Sequence, residues 1–119
     1  MQISSIIDVV EGELKNSPSI SFIYNIKTNI NKVHEGDLFV AENSDDTKTA
    51  IAKGAFGIIY DFEMEILDKE IAWIKVKDTK DSLSKLIRFK LSNLELQAFY
   101  CNTITYEILE LFLKFNDEK

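Results

Sequence analysis

The chain has 119 residues, 45% of them hydrophobic and 29% charged, the balance of one globular domain that can bury a core without metal or disulfide staples. Its 14 basic and 20 acidic residues leave a formal net charge of -6, and that field repels nucleic acid and anionic membrane surfaces. The single cysteine, Cys101, excludes an internal disulfide and cannot by itself build a zinc site, and no apolar stretch approaches the roughly 20 residues of a membrane-spanning helix.

The opening MQISSIIDVV has no basic start and is interrupted by Asp8, so no secretory leader is expected and the expected location is the cytoplasm. Ser4 or Ser5 is placed to cap a short helix with Ile6, Ile7, Val9 and Val10 on its apolar side and Gly12 just past its end. Residues 13 to 19 read as a loop broken by Pro18. Ile20 to Ile26, dense in Ile, Phe and Tyr, reads as a strand. A polar connection over residues 27 to 35 then leads through Gly36 into a second strand, Asp37 to Ala41. Asn43-Ser44-Asp45-Asp46 offers several caps for a helix from Thr47 to Lys53, which Gly54 ends. Phe56 to Tyr60 is wholly apolar, as in a strand covered on both faces.

The rhythm then repeats. Asp61 to Glu70 is an acidic connection, and Ile71 to Val76 a strand. Asp78 or Thr79 caps a helix carrying the stripe Leu83, Leu86, Ile87 and Leu91. Leu94 to Cys101 is again strand-like, and Asn102 or Thr103 caps a last helix with Ile104, Ile108, Leu109, Leu111, Phe112 and Phe115 inward. Strands alternating with helices predict an α/β fold with a mixed or parallel sheet, flanking helices and a C-terminal βα unit.

Few residues offer catalytic chemistry. His34 is the only histidine and lies in a polar connection, while Cys101 ends an apolar run and reads as a packed thiol. Asp45 and Asp46 complement a helix dipole, and Asp61, Glu63 and Glu65 alternate with Phe62, Met64 and Ile66 as on a solvated edge. Arg88 is the only arginine, so bidentate phosphate clamps are nearly absent. No catalytic residue, metal or cofactor is expected. One stretch stands apart electrostatically: from Lys15 to His34 there is no acidic residue, whereas Lys15, Lys27, Lys32 and His34 all lie there. Such a stretch can receive a phosphate or carboxylate.

Three ordered blocks carry a family resemblance. KVHEGDLFVA at residues 32 to 41, AIAKGAFGIIYD at 50 to 61 and IKVKDTKDSLSKLIRFK at 74 to 90 resemble the N-terminal domain of the Mur ligases of bacterial peptidoglycan synthesis. In that family the domain binds the UDP part of a UDP-muramoyl-peptide. The resemblance implies a division into a Mur ligase N-terminal-like domain, 1–93, and a strand-helix extension, 94–119, similar to the start of the family's central domain. Together with the acid-free stretch, it implies ligand contacts from Lys27, Asn31, Lys32, His34, Gly36 and Asp37.

The motifs are degenerate. Asn29-Ile30-Asn31 stands where the family has Asp-Ser-Arg, and the loop after GDLFVA is shortened to Glu42-Asn43-Ser44-Asp45. Residues 95 to 113 contain no glycine and no lysine, so the family's ATP-binding P-loop is not expected there, nor is ATP-dependent ligation. The expected partner is a UDP-muramoyl-peptide or another uridine nucleotide-sugar. The alternative is a scaffold that kept the fold and lost the ligand, meeting a protein partner or itself through the C-terminal helix or a sheet edge. Neither reading involves nucleic acid or membrane insertion.

Overall fold

A computed structural model describes residues 1–98, with side chains described through Ser92. The elements run α1 (Ile3–Val10), β1 (Glu13–Leu14), β2 (Ile26–Lys27), a short 3-10 turn (Ile30–Lys32), β3 (Leu38–Val40), α2 (Ser44–Ala52), β4 (Gly57–Tyr60), β5 (Ala72–Lys75) and α3 (Thr79–Ala98). The sheet has five strands in the order β1-β5-β4-β3-β2. Strands β2 to β5 are parallel neighbours, and β1 joins β5 antiparallel. The predicted mixed α/β fold is therefore present.

The period-two alternation of strand side chains divides the core into two layers. Leu38, Val40, Ile59, Ala72 and Ile74 face α1 and α3, where they meet Ile3, Ile6, Val10, Leu83 and Leu86. Phe39, Ala41, Ile58, Tyr60 and Trp73 face the other way, towards Ala50 of α2 and Val33 of the crossover. Both faces of β3 and β4 are covered, which explains their continuous apolar runs. The predicted α2 holds, with Asn43 as its cap and Gly54 at φ +93 just beyond its end.

Four expectations need correction. The cap of α1 is Gln2, which makes no side-chain cap bond, rather than Ser4 or Ser5. Its first N–H, on Ile3, is satisfied instead by the Ser21 carbonyl at 2.9 Å. At the other end, Glu11 takes the left-handed conformation (φ 55), while Gly12 serves close packing. A Cβ on Gly12 would lie 2.7 Å from Ile74 Cγ2.

The predicted loop 13–19 contains β1, and Asn16 continues its pairing with side-chain atoms. The Asn16 carboxamide donates to the Ile71 carbonyl at 2.7 Å and accepts the Trp73 N–H at 3.1 Å. A strand of two residues is too short to leave a periodic pattern. The predicted strand Ile20 to Ile26 is ladder-paired only at its end, because Gln2 takes Phe22 in an isolated bridge and the Ile3 N–H takes the Ser21 carbonyl.

Asp61, Glu63 and Glu65 are exposed as expected, but Asp61 also accepts the Thr79 N–H at 3.0 Å at the start of α3. Asp78 caps the same helix, accepting from the Lys80 N–H at 2.9 Å. Finally, α3 continues to Ala98, so Leu94–Ala98 is helical where a strand was predicted. Cys101, the predicted last helix and most of the extension 94–119 lie outside the described residues. No helix of the described residues is long and apolar enough to cross a membrane.

The end of α1 is testable. Gly12→Ala should destabilise the fold by about 1–3 kcal/mol through overpacking against Ile74. Glu11→Gly should stabilise it by up to about 1 kcal/mol by relieving the left-handed residue. The Glu11–Lys85 pair that is lost is exposed, and Lys85 keeps Asp81 at 3.1 Å. Urea unfolding of both variants checks the pair, and opposite signs are the expected result.

Candidate functional site

The residues expected to hold a ligand surround the crossover from β2 to β3, and their geometry centres on Asp37. Its side chain is 2% exposed, and Oδ2 accepts from Lys27 Nζ at 2.9 Å and from the His34 N–H at 2.8 Å. Lys27 Nζ also donates to the Lys32 carbonyl at 3.1 Å. One buried carboxylate thus ties the end of β2, the 3-10 turn and the start of β3 together.

Gly36 makes the turn before Asp37 possible. It sits at φ +89 beneath the Tyr24 ring, where a Cβ would come within 2.3 Å of a ring carbon. Its N–H donates to the Gly54 carbonyl at 2.9 Å, and its carbonyl accepts the Tyr24 N–H at 2.9 Å. The Asp37 N–H donates to the His34 carbonyl at 3.2 Å. Both backbone donors expected beside a ligand are therefore bonded within the fold.

Lys27, Lys32, His34 and Asp37 are brought together, although Lys32 and His34 take part through their backbones. The Lys27 ammonium is directed at Asp37 and the Lys32 carbonyl. Asn31, Lys32 and His34 are exposed residues of the crossover. Two residues not foreseen as contributors shape this surface. Asn29 Oδ1 accepts the Asn31 N–H at 3.0 Å, a turn that Asn favours two residues ahead of its donor. Lys53 Nζ, at the end of α2, donates to the Ile30 carbonyl at 2.8 Å, a contact that no local pattern announces.

In open α/β sheets, ligands bind outside the carboxyl ends of the strands. At that edge β2 leads into Thr28–Asn31, and β3 leads into Glu42 and Asn43. The helix N-termini there are already supplied with oxygen acceptors. Asn43 Oδ1 accepts the Asp46 N–H at 2.9 Å with Asp45 and Asp46 in the first turn of α2, while Asp61 and Asp78 serve α3. Attraction for an anion on this side therefore depends on lysine side chains rather than helix dipoles. At the opposite edge, a crevice of about 340 Å³ holds Lys53 but also Glu35, Asp68 and Glu70, and that balance disfavours an anion.

The pairing at Asp37 predicts strong coupling. Asp37→Asn leaves a largely buried ammonium without its counter-charge and should cost about 3 kcal/mol. Combining it with Lys27→Met should cost less than the sum of the two single changes, by at least about 1 kcal/mol in a double-mutant cycle read by urea unfolding. Additive losses would contradict the pairing.

No family model matches the chain, and no curated protein matches it in sequence. Solved structures do match. Two crystal structures of MurF from Acinetobacter baumannii each superpose with a TM-score of 0.64 at 20% identity, over 77% of this chain and 21% of theirs. The UDP-N-acetylmuramoylalanyl-D-glutamyl-2,6-diaminopimelate–D-alanyl-D-alanyl ligase of the same organism matches with the same score and identity, over 77% of this chain and 22% of that one. The chain thus spans about a fifth of the length of these ligases. At this identity the likeness is one of architecture: the chain has a Mur ligase-like α/β fold.

Proposed function

We propose that the chain is a non-catalytic Mur ligase-like module that recognises a UDP-muramoyl-peptide or a related uridine nucleotide-sugar. The observation that carries this reading is the pinned crossover: Asp37 and Lys27 hold the 3-10 turn in one geometry while Asn31, Lys32 and His34 face solvent. Lys32 and His34 supply attraction for the diphosphate. The Asn31 carboxamide carries both a donor and an acceptor, as the uracil edge does. The relation to peptidoglycan precursors is supported by the shared architecture with ligases that are named for such a substrate. Lys27 contributes indirectly, by fixing the turn.

A second reading is an interaction protein that kept the fold and lost the ligand. It is favoured by Phe22 and Tyr24, which are 46% and 64% exposed and stack edge-on at 5.6 Å beside the short edge strand β2. Under this reading, Phe22→Asp disrupts association seen by light scattering.

Thermal unfolding separates the two. A ligand that binds only the native state stabilises it by about 2.7 kcal/mol at roughly 100 times its dissociation constant, a shift of several degrees for a domain of this size. UDP-muramoyl-peptide and UDP should raise the midpoint, whereas ATP should not. Lys32→Glu should abolish the shift. No shift with any uridine compound rejects the first reading.

A further inference from the structure

At the other side of the sheet from β2, strands β4 and β5 end at Tyr60 and Lys75. The chain beyond β4 passes Glu63, Met64 and Ile66, and Lys15 follows β1. These six residues line a cavity of about 220 Å³. It lies outside the carboxyl ends of two adjacent parallel strands, the position at which open α/β sheets take ligands.

Tyr60 supplies the first argument. The residue is 3% exposed, and its ring is fixed edge-on against Phe62 and Trp73, each at 5.8 Å. Its hydroxyl nevertheless has no hydrogen-bond partner among the described residues. Buried hydroxyls are normally satisfied, so a hydroxyl of this kind on a cavity-lining residue calls for an acceptor that the described residues do not supply. Burial pushes the phenol up from its ordinary value of 10.0, with Glu63 and Glu13 adding to the rise and Lys15 opposing it. The group therefore remains a neutral O–H donor at physiological pH.

The lysines supply the second. Lys75 Nζ stands 5.3 Å from the Tyr60 ring centroid, donates to the Phe62 carbonyl at 2.8 Å and pairs with Glu63 at 3.2 Å. The Lys75 side chain is 22% exposed, but that of Glu63 is 100% exposed. Lys15 and its partner Glu13 show the same inequality at 39% and 71%. Both cations border the cavity, while Glu63 stands fully exposed at its rim and Glu13 lies outside its lining, where such pairs contribute little. An incoming carboxylate can replace them. Met64 and Ile66, packed against the second core layer, form an apolar wall.

We propose that this cavity binds a small organic anion, with its carboxylate held by Lys15, Lys75 and the Tyr60 hydroxyl and its apolar body against Met64 and Ile66. The volume is below the roughly 300–1,000 Å³ of sites for drug-sized molecules, which limits the ligand to a small one. The site is separate from the crossover at Asp37 and does not depend on the uridine reading.

The test is an NMR titration of the full chain with benzoate, with benzyl alcohol and benzylamine as neutral and cationic controls. Benzoate should shift the amide signals of Tyr60, Glu63, Met64 and Lys75 saturably, and the two controls should bind at least about tenfold more weakly. Tyr60→Phe should weaken benzoate about tenfold while leaving the unfolding midpoint equal or higher, as befits a hydroxyl with no hydrogen-bond partner among the described residues. Glu63→Gln should tighten binding a few-fold by removing the competing carboxylate, and Lys48→Glu, on the exposed side of α2, should leave benzoate binding unchanged. The proposal is overturned if benzoate gives no saturable shift up to about 50 mM, where even a millimolar site fills. Equal binding of benzyl alcohol overturns it too, as does a lowered midpoint in Tyr60→Phe.

Discussion

The Asp37 carboxylate is the constraint on which the β2–β3 side of the molecule depends. A charge with a 2% exposed side chain is tolerated only when its oxygens are paired, and here Lys27 and the His34 N–H pair it. The same contact joins a two-residue strand to the sheet interior and sets the path of the nine residues between Lys27 and Asp37. Without it, β2 would have little to hold it, since its ladder with β3 covers only two residue pairs. Gly36 belongs to the same device: its positive φ and its place beneath Tyr24 bring the chain into β3 at the right angle.

The pairing changes the meaning of the acid-free stretch from Lys15 to His34. In sequence it reads as one electropositive patch. In the fold, its cations are dispersed along the sheet. Lys27 turns inward to a carboxylate ten residues later, Lys32 and His34 stay on the crossover surface, and Lys15 stands by the end of β5. The carboxylates at the starts of α2 and α3 are used by their own helices. In a molecule of charge -6, anion attraction must therefore come from local basic residues rather than from the field of the whole chain.

Likeness to the MurF structures at a TM-score of 0.64 and 20% identity fits this division between scaffold and site. The blocks GDLFVA, KGAFGIIY and IKVKDT, singled out by sequence resemblance, map onto β3, the end of α2 with β4, and β5 with the start of α3. Their apolar positions build the two core layers, Gly36 and Gly54 make turns, and Gly57 lets β4 lie close against Leu38. Those demands belong to an architecture, and they persist whether or not a ligand is bound.

Much of this architecture was legible in the sequence because it rests on local signals. Apolar runs marked β3, β4 and β5; Asn43 and Gly54 marked the ends of α2; Leu83 and Leu86 marked the buried face of α3. Propensity misled at Ile20 to Ile26, where the aromatic residues favour a strand but the N-terminal segment claims the Ser21 carbonyl and Phe22. It was silent at β1, whose pairing is completed by one Asn16 side chain reaching Ile71 and Trp73 more than fifty residues away. The candidate sites divide in the same way. Sequence alone determined which residues carry charge, where the chain turns and which faces are apolar, since these follow from residue type and spacing. Only the tertiary structure decided that Lys27 faces Asp37, and that Tyr60 lines a cavity with Lys15 and Lys75, because such partners are set by how strands stack and not by their order along the chain.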